Sequence, residues 1–186
     1  PKINALDEVT IRKNQYRARS QKALFDAYNV EKEIVKNKFL LLDKKVSGHA
    51  IEIRDGDMIN NASGGIMEVL QSMFAGIKFA PKGDPWGKAL ASDPNAVIYM
   101  RGIGSIENAT EAVYEVDGMI YEDPPRFLDI NNIDRIARVP SLGGLAIYGS
   151  IGRGGVFIIN TKSANLSPTK DHLAFRAEQM PPKRLL

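Results

Sequence analysis

A glycine-rich run from Gly149 to Gly155 is the first candidate for chemistry, because glycine-rich loops can cradle phosphate groups. Such a loop joins a strand to the amino end of a helix and carries Lys-Ser or Lys-Thr for the nucleotide and its metal. Here the run contains no such pair, and β-branched residues typical of a strand follow it. The run is therefore predicted to be a tight turn between two paired strands, and nucleotide binding is not expected.

Acidic residues lie close together in the second half of the chain and could supply oxygen ligands for calcium. They are Asp117, Glu122, Asp123, Asp129 and Asp134. Their spacing does not match the twelve-residue calcium-binding loop. They are predicted to be turn acids and a hairpin aspartate.

The sequence contains no strong pattern of catalytic residues. His49 and His172 are the two histidines and lie far apart, so a two-histidine metal or catalytic site is not expected. No serine lies in a nucleophile-elbow pattern, and no pair of acids stands out as general acid and base. The chain has no cysteine, which excludes disulfides and thiolate metal sites. The sequence predicts a protein that is not an enzyme and has no cofactor.

The composition is that of an ordinary globular protein, with 44% hydrophobic and 25% charged residues among 186. The net charge of +3 is too small to indicate nucleic-acid binding. Residues 1–48 hold 11 Lys or Arg against 6 acids, which we interpret as a solvated helical face; phosphate or anionic lipid is the alternative. No apolar run approaches the roughly 20 residues of a membrane helix. The start at Pro-Lys-Ile-Asn suggests a piece of a larger protein.

Hydrophobic periodicity and turn residues predict several short elements. The predicted strands are 6–11, 50–54, 77–80, 96–102, 112–116, 119–121, 135–139 and 156–161, and the predicted helices are 16–39 and 60–77. This pattern predicts an α+β fold with a small mixed β-sheet of short strands packed against helices. We expect three regions: a lead-in strand and basic helical extension at 1–48, a core domain at 49–163, and a linker or carboxyl-terminal arm at 164–186.

Four segments, in order, resemble the plug domain of TonB-dependent outer-membrane receptors, most closely the SusC/RagA type of Bacteroidetes. They are 65–77, a helix ending in Ala-Gly; 98–105, a strand with Arg101 and Gly102; 113–119, a hairpin with Asp117 and Gly118; and 133–162, with Tyr148, Gly149, Gly155 and Thr161. Residues 6–9, Leu-Asp-Glu-Val, are similar to the segment that precedes the plug. The resemblance covers about 50–163 and implies the plug-domain fold.

The resemblance implies a non-catalytic gate in an outer-membrane importer of nutrients or glycans, on the periplasmic side or within a barrel lumen. The implied partners are the protein's own carboxyl-terminal β-barrel or neighbouring domains, a TonB-type energy coupler and a surface lipoprotein, without nucleic acid. The alternative is a plug-like interaction or structural module in a multidomain exported protein without a barrel.

Two further groups of residues are candidates for binding. An extended segment could pair with the energy coupler by strand addition, or could equally be a strand of the sheet. It consists of Leu6, Asp7, Glu8, Val9, Thr10 and Ile11. Trp86 and Tyr99 are candidates for ligand contact, although a Trp86 ring closing its loop over the core is the favoured interpretation. The Tyr148 ring is expected to cover the sheet edge while its hydroxyl reaches water or backbone.

Overall fold

The computed structural model describes residues 20–45, 50–100 and 109–163. Several sequence-based predictions lie outside these residues: the segment 6–11, the histidines His49 and His172, the motif residues Arg101 and Gly102, and the arm 164–186. The proposed region boundaries near 48 and 163 stay predictions.

Four α-helices and nine strands make up the described part of the chain. The helices are α1 Gln21–Tyr28, α2 Gly56–Ile59, α3 Ile66–Met73 and α4 Ser141–Tyr148. The strands are β1 Ile34–Lys36, β2 Leu41–Asp43, β3 Glu52–Asp55, β4 Ile77–Pro81, β5 Ala96–Met100, β6 Val113–Val116, β7 Met119–Tyr121, β8 Ile133–Val139 and β9 Val156–Thr161. Two 3₁₀ helices, Ile130–Asn132 and Gly149–Gly154, precede β8 and β9. The predicted α+β class is confirmed.

A mixed five-stranded sheet forms the centre, in the order β3-β8-β9-β6-β7. Strands β6 and β9 are parallel, whereas β3 with β8, β8 with β9 and β6 with β7 are antiparallel. Two separate hairpins, β1-β2 and β4-β5, accompany this sheet. The hairpin predicted from Asp117 and Gly118 is confirmed as β6-β7.

Both faces of the sheet are apolar. Neighbouring residues of a strand point to opposite faces, and in β9 several successive residues are apolar and buried. Phe157 and Ile159 of β9 pack in a cluster with α3 and the β4-β5 hairpin. Val156 and Ile158 pack in a second cluster with residues of the β1-β2 hairpin. The sheet is thus covered on one side by α3 and β4-β5 and on the other by the amino-terminal residues.

The predicted helix at 16–39 is wrong over most of its described part. Helix α1 ends at Tyr28, and Ile34–Lys36 is a strand paired with β2. Ile34 and Val35 are both completely buried. β-Branched residues pack well on a pleated surface, so burial of this pair outweighs the helical spacing of the local sequence.

The predicted helix at 60–77 is shorter than expected. It begins at Ile66 because Gly64 has a φ of +104°, which a helix does not accommodate. At its amino end the Glu68 carboxylate accepts the Gly65 N–H at 3.0 Å. A separate short helix, α2, lies before it and is capped by Asp55.

The predicted tight turn before β9 is also wrong. Strands β8 and β9 do pair, but α4 and the 3₁₀ helix Gly149–Gly154 connect them. These two helices touch where Gly144 lies against Gly152, and a Cβ on either residue would overlap the other's carbonyl oxygen. The glycines therefore permit close packing of two helices rather than a single turn.

Candidate functional site

The motif residues of the hairpin and of the last strand meet at one end of the sheet. Asp117 and Gly118 have φ angles of 49° and 89°, as a two-residue hairpin turn of the I′ type requires. The Asp117 carboxylate accepts the Thr161 N–H at 2.8 Å and the Thr161 hydroxyl at 2.6 Å. This carboxylate therefore fixes the turn after β6 to the end of the parallel strand β9.

Tyr148 joins the end of α4 to the same strand, β6. Its hydroxyl donates to the buried Glu115 carboxylate at 2.6 Å, so the expected water or backbone partner is wrong. Burial raises the pKa of Glu115, and burial together with the Glu115 charge raises the pKa of Tyr148. The Tyr148 ring lies 6.2 Å from that of Phe39, which precedes β2.

The two remaining described glycines of the motif occupy different positions. Gly155 directly precedes β9 with a φ of 91°, and a Cβ there would overlap the Met100 sulfur. Gly149 has a φ of 66° and follows α4, so it ends a helix and does not lie in the predicted tight turn between strands. Both positions favour glycine because other residues rarely adopt such angles.

Trp86 and Tyr99, the candidates for ligand contact, lie in different environments. Trp86 is 65% exposed, so the interpretation of a ring closed over the core is wrong. The Asp84 carboxylate accepts the N–H groups of Trp86 and Gly87 at 3.1 and 2.9 Å and holds the loop in shape. Tyr99 is buried, and its hydroxyl bonds to Glu111 at 3.2 Å. Ligand contact by either residue stays a prediction.

Several of the acids considered as calcium ligands contact other groups of the protein. Asp123 pairs with Lys82 at 2.6 Å, and Asp129 accepts the Asn131 N–H at 2.9 Å. A cavity of about 370 Å³ is lined in part by Glu111 and Glu122 together with hydroxyl groups. Within residues 20–45, 50–100 and 109–163, no group of three or more His, Cys, Asp or Glu could hold a metal ion.

Sequence reasoning missed three buried polar residues in the central strands: Glu115, described above, Arg135 and Asn160. The Arg135 guanidinium donates to the Ile34 carbonyl at 2.7 Å and lies 4.1 Å from the centre of the Tyr28 ring. Asn160 bonds to Tyr28 and to the backbone of Lys36. The available signal was a polar side chain inside an apolar strand, because such groups need partners when they are buried.

None of the described helices has the length and apolar character needed to cross a membrane. No known family's sequence profile matches the chain, and no curated protein matches it significantly.

Several solved structures resemble part of the chain. The RagAB peptide importer in its "open-open" state is 22% identical with a TM-score of 0.49, over 66% of this chain and 13% of that one. A second structure, of the RagAB peptide transporter, is 25% identical with a TM-score of 0.43, over 60% and 12%. The ferric enterobactin receptor PfeA of Pseudomonas aeruginosa is 17% identical with a TM-score of 0.43, over 60% and 17%. The chain therefore spans less than a fifth of each of these structures.

Proposed function

We propose that the chain is the plug, or gate, domain of a TonB-dependent outer-membrane importer and performs no catalysis. The observation that carries this proposal is the convergence of two of the plug-like motifs, 113–119 and 133–162, in one sheet. Asp117 of the hairpin motif binds Thr161 of the closing motif, and Tyr148 of that closing motif binds Glu115 of the hairpin strand β6. Segments that resemble the plug separately thus form one hydrogen-bonded assembly.

The surface suits a domain that fills a polar lumen. Transport barrels have polar interiors, so a plug needs charged groups on its outside. Exposed ion pairs such as Lys82–Asp123 and Lys32–Asp57 supply them, each across about 3 Å. In the proposed mechanism the domain blocks the pore, ligand binding outside loosens it, and a periplasmic coupler pulls the amino-terminal segment.

The finer proposals follow from the sequence resemblance. The importer would be of the SusC/RagA type of Bacteroidetes, would carry nutrients or glycans, and would work with a surface lipoprotein. Trp86 would present its exposed ring to the ligand. Residues 6–11 would add a strand to the energy coupler.

The gate is tested by conductance of the full-length protein in a planar bilayer. Deleting residues 50–163 is expected to convert a closed protein into an open pore, because nothing then fills the lumen. The control is Leu90→Ala, at a residue that is 74% exposed and has no proposed role, which is expected to leave the pore closed. A deletion variant that reaches the membrane and stays closed would overturn the proposal.

A gene that encodes short sandwich domains after residue 186 would instead support the interaction module without a barrel.

The coupling segment is tested separately by substituting Val9 in the full-length protein. Proline cannot donate a backbone hydrogen bond to an added strand, so Val9→Pro is expected to abolish uptake while ligand binding persists. Val9→Thr keeps the N–H and a β-branched side chain and is expected to preserve uptake. Uptake that survives Val9→Pro would exclude strand addition at this residue. It would not bear on the proposed gate, which the conductance experiment tests.

A further inference from the structure

The residues 20–45, here called the amino-terminal cover, form a layer on one face of the central sheet. The cover comprises α1, β1 and β2, and its strands pair with each other but not with the five-stranded sheet. It also has a small apolar cluster of its own, made by Leu24, Tyr28, Ile34 and Leu41. The cover therefore has internal cohesion that does not depend on strand pairing with the sheet.

One side chain of the sheet replaces the missing strand pairing. The Asn160 carbonyl oxygen accepts the Lys36 N–H at 3.0 Å, and the Asn160 amide donates to the Lys36 carbonyl at 2.8 Å. The same Asn160 oxygen also accepts the Tyr28 hydroxyl at 3.2 Å. Asn160 is almost completely buried on β9, so these bonds are shielded from water.

Arg135 of the neighbouring strand β8 makes the second attachment. Its guanidinium donates to the carbonyl groups of Ile34 and Glu31, at 2.7 and 3.2 Å, and lies against the Tyr28 ring. Arg135 is buried and would lose these partners if the cover left. Asn160 and Arg135 thus hold the cover mainly through its backbone and one aromatic residue.

The cover shields apolar surface of the sheet. Val35 and Leu42 of the cover pack in one cluster with Ile53, Ala137 and Ile158 of the sheet. These sheet residues lie on strands β3, β8 and β9, which are hydrogen-bonded directly to one another, β3 to β8 and β8 to β9. The hydrogen-bonded framework of the sheet therefore does not run through the cover.

We propose that the amino-terminal cover is a separable lid, latched by Asn160 and Arg135, that can leave the sheet without unfolding it. Its departure exposes the apolar face around Ile158 to solvent. This inference rests on the contacts between the cover and the sheet and does not depend on the proposed gate function.

Hydrogen–deuterium exchange of the 186-residue chain tests the latch. Asn160→Ala removes three hydrogen bonds to the cover, so amides of α1, β1 and β2 are expected to exchange about tenfold faster. Amides of β8 and α3 are expected to change less than about twofold. The matched control is Asn95→Ala, at an exposed loop asparagine, which is expected to leave all these rates unchanged.

Tyr28→Phe is a milder variant that keeps the ring against Arg135 and removes only the hydroxyl bond to Asn160. It is expected to accelerate exchange of the cover by about threefold, again without affecting β8 and α3. Equal acceleration of the cover and the sheet in either variant would show that they unfold as one unit and would overturn the proposal. Unchanged exchange of the cover in both variants would overturn the latch as well.

Discussion

Glu115 is a buried acidic residue of the central sheet. It is completely buried on β6, and its described hydrogen bond comes from the Tyr148 hydroxyl at 2.6 Å. Burial is the largest cause of its raised pKa; the hydrogen bond from Tyr148 and the backbone N–H and charge of Lys38 oppose it, and the nearby Asp117 charge adds slightly to it. The protonated carboxyl is therefore favoured in the folded protein over the unfolded chain.

This raised pKa predicts a loss of stability as pH rises. Between the ordinary Glu pKa of 4.5 and the raised value, the folded protein binds a proton that the unfolded chain has released. The unfolding free energy therefore falls with rising pH in that window. The glutamine in Glu115→Gln stays neutral and can still accept a hydrogen bond from the Tyr148 hydroxyl. The unfolding free energy of this variant is therefore expected not to show this decrease with rising pH.

Urea unfolding from about pH 4 to pH 8 measures the difference between wild type and Glu115→Gln. Because the two proteins share all other titratable groups, the difference isolates Glu115. Glu122→Gln, at an exposed acid, is the control and is expected to track the wild type. Parallel curves for wild type and Glu115→Gln would contradict the raised pKa.

At the scale of elements, the connection between β8 and β9 shows how glycine sets the distance between two helices. Helix α4 lacks a side-chain cap at Pro140 and packs on the 3₁₀ helix Gly149–Gly154. The contact is backbone against backbone at Gly144 and Gly152, which leaves no space for a side chain. This packing positions Tyr148 to reach Glu115.

Gly144→Ala is expected to destabilise the protein by about 1–3 kcal/mol, because the added methyl group forces the two helices apart. Chemical denaturation gives the free-energy difference directly. The control is Leu142→Ala, at an exposed residue two positions before Gly144 on the same helix. It is expected to change stability by less than about 0.5 kcal/mol. A Gly144→Ala protein as stable as this control would show that the helices have room to adjust.

At the scale of the whole molecule, one sheet separates two apolar clusters of different construction. The cluster under α3 contains Phe157, whose ring stacks on Tyr114 at 5.8 Å and meets Phe74 edge-on at 5.7 Å. The opposite cluster is closed by the amino-terminal cover. Helix α3 and the sheet are therefore joined by large aromatic side chains, whereas the cover is joined by the smaller apolar residues Val35 and Leu42 and by the hydrogen bonds of Asn160 and Arg135.

Phe157→Ala is expected to lower the unfolding free energy by about 3–5 kcal/mol, because it leaves a cavity among fully buried rings. Unlike Asn160→Ala, it is expected to accelerate amide exchange in α3 and the sheet together. Val30→Ala, at a residue that is 80% exposed, is the control and is expected to alter neither measurement. A loss below about 1 kcal/mol would show that α3 is not anchored through Phe157.

The sequence by itself determined the α+β class, the β6-β7 hairpin, and the central part of α3. These features depend on local signals: the Asp-Gly pair accepts positive φ angles, and apolar residues repeat with the period of a strand or helix. The resemblance to a plug domain was likewise carried by short segments. None of these inferences needed a contact between distant residues.

Only the tertiary structure decided the strand at Ile34–Lys36, the exposure of Trp86, and the partners of Tyr148 and Asn160. The Asn160 side chain contacts Lys36 across 124 positions of sequence, and Tyr148 contacts Glu115 across 33. Local propensity contains no information about such partners. Burial of these polar groups and of Ile34 is favourable only once the sheet has brought their partners together.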